Sequence, residues 1–228
     1  MVAIGGIQKF SAVDYPGHTA ATIFTIGCNM RCGYCHNPEL VLPEQFLDAI
    51  PEHEILNFLN KRKGLLEGVC ITGGEPTMHE DLPIFIYQLK ALGFLIKLDT
   101  NGTNPRMLEQ LIDAELVDFV AMDIKGPLEK YQQIAARPVS ETAIKQSINL
   151  IKTVEHEFRT TIVRSQLCPS DFERIGQLVR GARRYALQYF TPGATLSPQF
   201  ANAQSFTASE MMQTKRILEK YVRECVVH

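Results

Sequence analysis

The sequence has little excess of charge of either sign. Its 228 residues contain 23 Lys and Arg against 25 Asp and Glu, and its isoelectric point is near 6.3. A broad cationic face that would attract a phosphate backbone is therefore not expected. This balance disfavours nucleic-acid binding.

The sequence also lacks long hydrophobic runs. No apolar run approaches the ~18 residues of a membrane span, and the opening MVAIGGIQKF lacks the features of a secretion signal. We therefore expect a cytoplasmic protein with no membrane partner. Because the cytosol keeps thiols reduced, its six cysteines are expected to be thiols or metal ligands rather than disulfides.

Apolar runs rich in β-branched residues alternate with longer amphipathic segments. They predict strands over 19–27, 68–72, 94–98, 118–124, 159–164 and 186–190, and helices over 52–63, 82–92, 105–116, 141–155, 171–185 and 207–223. This alternation predicts parallel strands joined by right-handed crossovers, in an open sheet or a barrel. With no linker evident, we expect a single domain over 1–228, with an N-terminal extension (1–18) and a C-terminal irregular stretch and helix (191–228).

Polar residues collect where the predicted strands end. The first strand ends in a cysteine cluster, the second in TGGEPT (72–77), the third in DTNGT (99–103) and the fourth in MDIKGP (122–127). Parallel α/β folds build their active sites from the carboxyl ends of their strands. The sequence therefore predicts a site at this rim.

Three cysteines, Cys28, Cys32 and Cys35, lie within eight positions in the spacing C-x3-C-x2-C. An iron–sulfur cube takes one thiolate on each of four irons, so three ligands would leave one iron open. A zinc site completed by His36 or His18 is an alternative, and buried inert thiols are another. The other cysteines, Cys70, Cys168 and Cys225, each stand alone and are interpreted as core or incidental thiols.

The stretch CNMRCGYC matches the C-x3-C-x-aromatic-C signature of the radical S-adenosylmethionine (SAM) superfamily. The longer pattern DYPG…FTIGCNMRCGYCHNPEL, with ITGGEP, LDTNG, MDIKGP and YALQYFTP, resembles the glycyl-radical-enzyme activases, above all the anaerobic ribonucleoside-triphosphate reductase activating proteins. The resemblance implies a partial (β/α)6 TIM-like barrel with parallel strands, open on one side. It also implies a [4Fe-4S] cluster on the three cysteines, with SAM on the fourth iron.

The resemblance extends to cofactor-binding residues. Gly73, Gly74 and Glu75 would meet the methionine amino group of SAM, and glycines suit a strand end that backbone must approach closely. The alternative is an ordinary Gly-Gly turn with a solvated glutamate. Tyr34 and His36 bracket the last cysteine and are expected to contact adenine.

Two further rim motifs carry carboxylates. Asp99, Thr100 and Asn101 form an Asx-type turn by default, yet similar activases suggest that Asp99, Thr100 and Asp123 hold a monovalent cation. Lys125 is a second candidate to compensate the negative charge. Carboxylates bonded to backbone amides are the alternative.

Arg164 is the last residue of the fifth predicted strand. It is expected either to reach the ribose or carboxylate of SAM or to form a salt bridge with a neighbouring helix. The N-terminal Asp14–Gly17 segment is either a cover on the cluster side or an ordinary turn.

The resemblance implies a radical SAM activase that generates a glycyl radical on a partner enzyme, with anaerobic ribonucleoside-triphosphate reductase as the expected partner and flavodoxin or ferredoxin as electron donor. No second cysteine-rich insert interrupts 36–68, which disfavours activases with extra clusters. One alternative is another substrate, either a pyruvate formate-lyase type enzyme or a small molecule, as in carboxy-deazaguanine synthase. The other is a zinc-binding or electron-carrier module.

Overall fold

A computed structural model describes residues 1–228 and contains one open sheet of eight strands. The strands lie in chain order from one edge to the other: β1 (Ile4–Tyr15), β2 (His18–Thr25), β3 (Gly68–Gly73), β4 (Leu95–Thr100), β5 (Phe119–Asp123), β6 (His156–Ile162), β7 (Arg184–Tyr189) and β8 (Glu224–Val227). β1 runs antiparallel to β2, whereas the pairs β2–β3, β3–β4, β6–β7 and β7–β8 are parallel. The expected parallel α/β architecture, open rather than closed, is confirmed.

Eight α-helices connect or follow these strands. They are α1 (Pro38–Val41), α2 (Glu52–Asn60), α3 (Leu82–Ala91), α4 (Pro105–Asp113), α5 (Leu128–Ala135), α6 (Glu141–Ile151), α7 (Asp171–Leu178) and α8 (Ala208–Leu218). Three short 3₁₀ turns lie at Pro43–Gln45, Pro76–Met78 and Pro198–Phe200. No helix combines the length and apolarity that crossing a membrane requires.

All six predicted strands and all six predicted helices are present, with shifted ends. The sequence interpretation missed β1, α1, α5 and β8. β1 carries two glycines and register shifts against β2, which break its alternation, and much of it is exposed. β8 has only four residues and begins at Glu224, directly after the predicted helix 207–223, which extends beyond the observed end of α8 at Leu218.

The chain divides into two compact units, each discontinuous in sequence. The first comprises Met1–Asn29, Asn37–Thr100 and Asn104–Val120; the second comprises Met30–His36, Asn101–Thr103 and Ala121–His228. The expectation of a single domain stays a prediction.

In the first unit, β2, β3 and β4 form a fully buried parallel core. Ile23 lies opposite Ile71, which lies opposite Leu98, and all three side chains are inaccessible to solvent. Because parallel strands have their carboxyl ends on the same side, this register brings the residues that follow β2, β3 and β4 to the same end of the sheet.

The hairpin of β1 and β2 lies at the amino end of β2. Tyr15 pairs with His18 across Gly17, whose φ is 80°, so the Asp14–Gly17 segment forms the hairpin turn, as its turn interpretation predicted.

In the second unit, β6, β7 and β8 form a second parallel set. Phe158 lies opposite Tyr185 and Tyr185 opposite Cys225, all buried. α8 begins with a capping box in which Thr207 and Glu210 satisfy each other's backbone N–H groups. Because β6, β7 and β8 pair in parallel, their carboxyl ends also lie side by side.

Candidate active site

The cysteine loop follows β2 and is divided between the two units. Cys28 belongs to the first unit, whereas Cys32 and Cys35 belong to the second. None of the three forms a disulfide; Cys32 is buried and the other two are half-buried. Neither unit alone groups three His, Cys, Asp or Glu side chains at metal-binding distance.

These three thiols fit an iron–sulfur cluster by their chemistry. Soft thiolate donors select iron–sulfur clusters or zinc, and none of the three is consumed in a disulfide. Burial raises the pKa of the Cys32 thiol, and the positive charge of Lys125 opposes that effect. Burial prevails, so the pKa of Cys32 stays above its ordinary value, and Lys125 offsets only part of that rise.

The zinc alternative loses one of its candidate ligands. His18 starts β2 and Cys28 follows its end, so at a rise of ~3.3 Å per residue the two are roughly 25 Å apart along the strand. His18 packs edge-on against Tyr15, with ring centroids 4.9 Å apart. A zinc site completed by His18 is therefore wrong.

The base of the cysteine loop packs on the end of β3 within the first unit. The Gly74 N–H donates to the Thr25 carbonyl at 2.8 Å, and the Glu75 N–H donates to the Gly27 carbonyl at 2.7 Å. A Cβ on Gly74 would lie 2.0 Å from the Gly27 oxygen, and one on Gly73, whose φ is 112°, would lie 2.4 Å from the Thr25 nitrogen. Only glycine at position 74 allows the end of β3 to approach Gly27 this closely, and Gly27 is the residue immediately before Cys28.

Glu75 is fully buried, so the interpretation of an ordinary turn with a solvated glutamate is wrong. Its Oε1 accepts hydrogen bonds from the Thr77 hydroxyl at 2.5 Å, the Thr77 N–H at 3.1 Å and the Thr100 hydroxyl at 2.8 Å. A buried carboxylate must be held by such donors. The network fixes Glu75 beside the carboxyl end of β4.

Asp99, at that end of β4, forms a buried ion pair with Lys97, which sequence analysis assigned no role. The Lys97 Nζ also lies 3.7 Å from the Cys70 sulfur, and Cys70 is a buried core thiol as predicted. The available signal was a lysine inside an apolar strand, two positions before Asp99 and therefore on the same face.

Asn101 belongs to the second unit and forms the predicted Asx-type turn. Its Oδ1 accepts from the Thr103 N–H at 3.0 Å and from the Thr103 hydroxyl at 2.6 Å, while Gly102 has a φ of 75°. The Gly102 carbonyl accepts from the Ser147 hydroxyl at 2.7 Å, which ties the turn to α6.

Asp123, at the end of β5, lies between two cations. Arg159 donates to its Oδ1 at 2.5 Å and Lys125 to its Oδ2 at 2.9 Å. Burial would raise the pKa of Asp123, but the charges of Arg159 and Lys125 hold it well below its ordinary value. Burial likewise disfavours charged Lys125, yet Asp123 raises its pKa well above normal. Arg159, on β6, was missed by the sequence analysis.

These ion pairs bear on the expected monovalent cation. Asp99 and Asp123 each have a cationic side chain within their own unit, so a metal cation is not needed to offset their charge. The alternative interpretation, in which backbone amides alone hold Asp99 and Asp123, is incomplete, because each carboxylate also pairs with a cationic side chain. A cation held by Asp99, Thr100 and Asp123 stays a prediction.

Tyr34 is buried in an aromatic cluster of the second unit. The rings of Phe190 and Phe200 meet it edge-on at 6.4 Å, and the Lys125 Nζ lies 5.9 Å from its centroid. His36 stacks on Phe190 with centroids 5.0 Å apart. Contact of these two residues with adenine stays a prediction.

Arg164 forms a salt bridge with α8. Its guanidinium makes two hydrogen bonds to the Glu210 carboxylate at the start of α8 and one to the Ser205 carbonyl. The structure therefore shows the salt bridge to a neighbouring helix, and contact of Arg164 with SAM stays a prediction.

Replacing Asp123 with asparagine should destabilise the protein by about 2 kcal/mol at pH 7, because Lys125 and Arg159 lose their carboxylate while partly buried. Since the folded-state pKa of Asp123 is lowered from 3.8, its stabilisation is present above pH ~4 and is lost as pH falls further. Urea unfolding of both proteins from pH 7 to pH 3 measures the difference. Asp48→Asn, at an exposed position, is the control, and equal pH slopes for wild type and Asp123→Asn would contradict the expectation.

The model of the radical SAM superfamily matches residues 22–165 of this sequence. The chain belongs to the radical SAM superfamily. It is 33% identical over 98% of its length to a Methanocaldococcus jannaschii protein that bears the provisional name glycyl-radical enzyme activating enzyme, and it covers 95% of that protein. It is also 33% identical to the pyruvate formate-lyase-activating enzyme of Streptococcus mutans, over 54% of this chain and 50% of that one.

Among solved structures, the radical SAM chain is similar to Streptococcus suis SuiB bound to S-adenosylmethionine. The TM-score is 0.69 at 13% identity, covering 89% of this chain and 48% of SuiB. The likeness shows the fold, and this chain spans about half of that structure. The protein is thus a radical SAM enzyme, and its family uses a [4Fe-4S] cluster and SAM.

Proposed function

We propose that this radical SAM enzyme generates a glycyl radical on a partner enzyme, with anaerobic ribonucleoside-triphosphate reductase as the favoured partner. The observation that carries the proposal is the similarity, along almost the whole chain, to a protein provisionally named as a glycyl-radical enzyme activating enzyme. The resemblance of DYPG…FTIGCNMRCGYCHNPEL to activators of the anaerobic reductase supports the choice of partner.

Cys28, Cys32 and Cys35 would hold the cluster, because one loop carries all three in the C-x3-C-x2-C spacing and none of them forms a disulfide. When bound, cluster and SAM supply, with one electron from flavodoxin or ferredoxin, a 5′-deoxyadenosyl radical that takes the Cα hydrogen of glycine, leaving methionine, 5′-deoxyadenosine and the glycyl radical. The positive charge of Lys125 would partly offset the cost of holding the Cys32 thiolate in its buried position.

Glu75 is the residue proposed to accept hydrogen bonds from the SAM amino group. Thr77 and Thr100 hold its carboxylate in one orientation, and full burial keeps competing water away. Gly73 and Gly74 let the strand end approach the base of the cysteine loop. These residues would bind and orient the cofactors, while the cofactors carry the radical chemistry.

A pyruvate formate-lyase type enzyme is the second candidate partner. The similarity to the Streptococcus mutans pyruvate formate-lyase-activating enzyme favours it, although that match covers only 54% of this chain.

The test is a deuterium-transfer experiment under anoxic conditions. The reconstituted protein is incubated with SAM, reductant and either anaerobic ribonucleotide reductase or pyruvate formate-lyase, each labelled with α-deuterated glycine. We expect a glycyl radical signal and deuterium in 5′-deoxyadenosine with the reductase, and much less with the lyase. Protein without SAM is the control.

Three outcomes contradict the proposal at different levels. Efficient transfer from the lyase alone would change the partner. 5′-Deoxyadenosine formed without deuterium from either protein would indicate a small-molecule substrate. A zinc-loaded, iron-free protein that performs its task would indicate a binding or electron-carrier module.

A further inference from the structure

A group of cationic side chains lies at the carboxyl end of α2, within the first unit. Lys61, Arg62 and Lys63 follow α2 directly, and all three are exposed. Lys9 reaches the same place from β1: its Nζ lies 5.8 Å from the centroid of the Phe58 ring, and the Arg62 Cζ lies 5.4 Å from that centroid. We call these five residues the basic patch. The mechanism above gives it no role.

No carboxylate of the chain balances the charges of the basic patch. The acidic residues of α2, Glu52 and Glu54, lie in its first turn, at the opposite end of the helix. Glu67 follows the patch in sequence, but it accepts hydrogen bonds from the Thr19 N–H at 2.8 Å and the Thr19 hydroxyl at 3.1 Å. The ion pairs of the first unit use other cations. Four like charges held close together repel one another, so an anionic partner would be attracted to them.

The position at a helix end explains only part of this clustering. The carboxyl end of a helix carries a partial charge of about −0.5, which one cation already offsets. The whole chain has 23 Lys and Arg against 25 Asp and Glu; without the four patch cations, 19 remain against 25, so the rest of the protein has a net charge of −6. An acidic partner would therefore be attracted at the patch and repelled elsewhere, which fixes its orientation.

The surroundings of the basic patch favour a protein partner over a nucleic acid. Leu65, whose N–H donates to the Arg62 carbonyl at 3.0 Å, is 66% exposed beside the cations. Protein interfaces combine such apolar side chains with a polar rim. A nucleic acid typically needs about six to ten phosphate contacts for tight binding, more than four cations supply. The negative charge of the remaining surface would also repel a long polyanion.

The basic patch is distant from the cysteine loop. Residues 61–63 lead into the amino end of β3, whereas Gly74, beyond its carboxyl end, packs on the base of that loop. The six residues of β3 span roughly 20 Å. A partner that binds the patch and also reaches the cysteine loop must therefore be a large protein.

We propose that the basic patch docks an acidic surface of the glycyl-radical enzyme while the glycine-bearing loop of that enzyme reaches the cysteine loop. The inference rests on the proposed function and adds to it a contact with the same partner, remote from the chemistry. Charges at such a contact raise the rate of association and fix the orientation of the partner.

The experiment reverses two charges of the patch that make no side-chain contact with Phe58. Lys61→Glu/Lys63→Glu is compared with wild type and with Arg106→Glu/Arg216→Glu, which changes the net charge equally at exposed positions on α4 and α8. The quantity measured is the KM of the reconstituted holoenzyme for the α-deuterated glycyl-radical enzyme that wild type activates. SAM affinity is measured alongside.

At about 50 mM salt, the KM of the patch variant should be roughly tenfold higher than that of wild type, because a steering attraction becomes a repulsion. At about 500 mM salt, where surface charges are screened, the two KM values should agree within about twofold. The control variant should stay within about twofold of wild type at both salt concentrations. SAM affinity should be the same in all three proteins.

Three results would overturn the inference. The KM of the patch variant could equal that of wild type at low salt. The control variant could show the same rise, which would be an effect of net charge and not of the patch. A short DNA duplex could bind wild type but not the patch variant at about 0.15 M salt, which would assign the patch to a nucleic acid.

The proposed function fails in a different way from the docking inference. In that case wild type itself transfers no deuterium from either labelled enzyme, and the assignment of the patch to a glycyl-radical enzyme is refuted together with the function. Deuterium transfer by wild type with a KM that ignores the patch refutes the docking inference alone.

Discussion

Alanine at Cys28, Cys32 or Cys35 should each abolish iron binding and SAM cleavage. Wild type reconstituted without oxygen should contain about four iron and four sulfide per chain, with three protein ligands and one open iron. Removing any of the three thiols leaves too few ligands to hold the cluster. Iron and sulfide analysis, visible absorption and the yield of 5′-deoxyadenosine measure the effect.

Cys168→Ala is the matched control for this series. Cys168 likewise forms no disulfide, but it is exposed, and its sulfur contacts Ser170, which precedes α7, and Asp171, the first residue of α7. Its alanine variant should bind as much iron as wild type and cleave SAM at the same rate. Retention of full iron content and cleavage by any of the three loop variants would contradict the ligand assignment.

Gly74→Ala should have the second largest effect. The new Cβ would lie 2.0 Å from the Gly27 carbonyl oxygen and 2.6 Å from its carbon, and both are backbone atoms that no side-chain rotation can move. Either the protein loses more than about 3 kcal/mol of stability, or the end of β3 separates from Gly27 and displaces Cys28. Urea unfolding of the iron-free protein and iron content after reconstitution measure the two effects.

Gly193→Ala separates this effect from a general cost of replacing glycine. A Cβ on Gly193 meets no atom within 4 Å, and its φ is not in the left-handed region. This variant should stay within about 0.5 kcal/mol of wild type and bind iron normally. If Gly74→Ala matched Gly193→Ala in both measurements, the close approach of β3 to the cysteine loop would not be required.

Local patterns were sufficient for much of the fold. The runs TAATIFTIG and GVCIT became β2 and β3 because continuous apolar residues suit strands buried on both faces. β1 escaped prediction because an edge strand with glycines and register shifts has no such pattern. The four residues of β8 are held by pairing with β7. This pairing joins residues far apart in the sequence, such as Arg184 and Glu224, so no local pattern predicts it.

The candidate site was predictable where one motif carries its chemistry. The cysteine spacing and the GGE motif were visible as short stretches of sequence. The structure adds why position 74 requires glycine, since a Cβ there would clash with the backbone of Gly27. The cationic partners were less accessible. Lys97 lies two positions before Asp99 in the same strand, so its place on the same face could be read from the sequence, although the sequence analysis did not use it. Arg159 lies on β6 and Asp123 on β5, and only the packing of these two strands shows that they pair.

The division of the cysteine loop has a consequence for biosynthesis. Residues 30–36 pack with much later parts of the chain: the Arg31 N–H donates to Ala135, and the segment around Gly33 packs against Phe200 and Ser197. The ribosome synthesises the chain from its amino end. The residues that pack around Cys28 are therefore made early, whereas those that pack around Cys32 and Cys35 are complete only once residues near 200 have been synthesised. Cluster insertion is therefore expected to be a late event that follows synthesis of nearly the entire polypeptide.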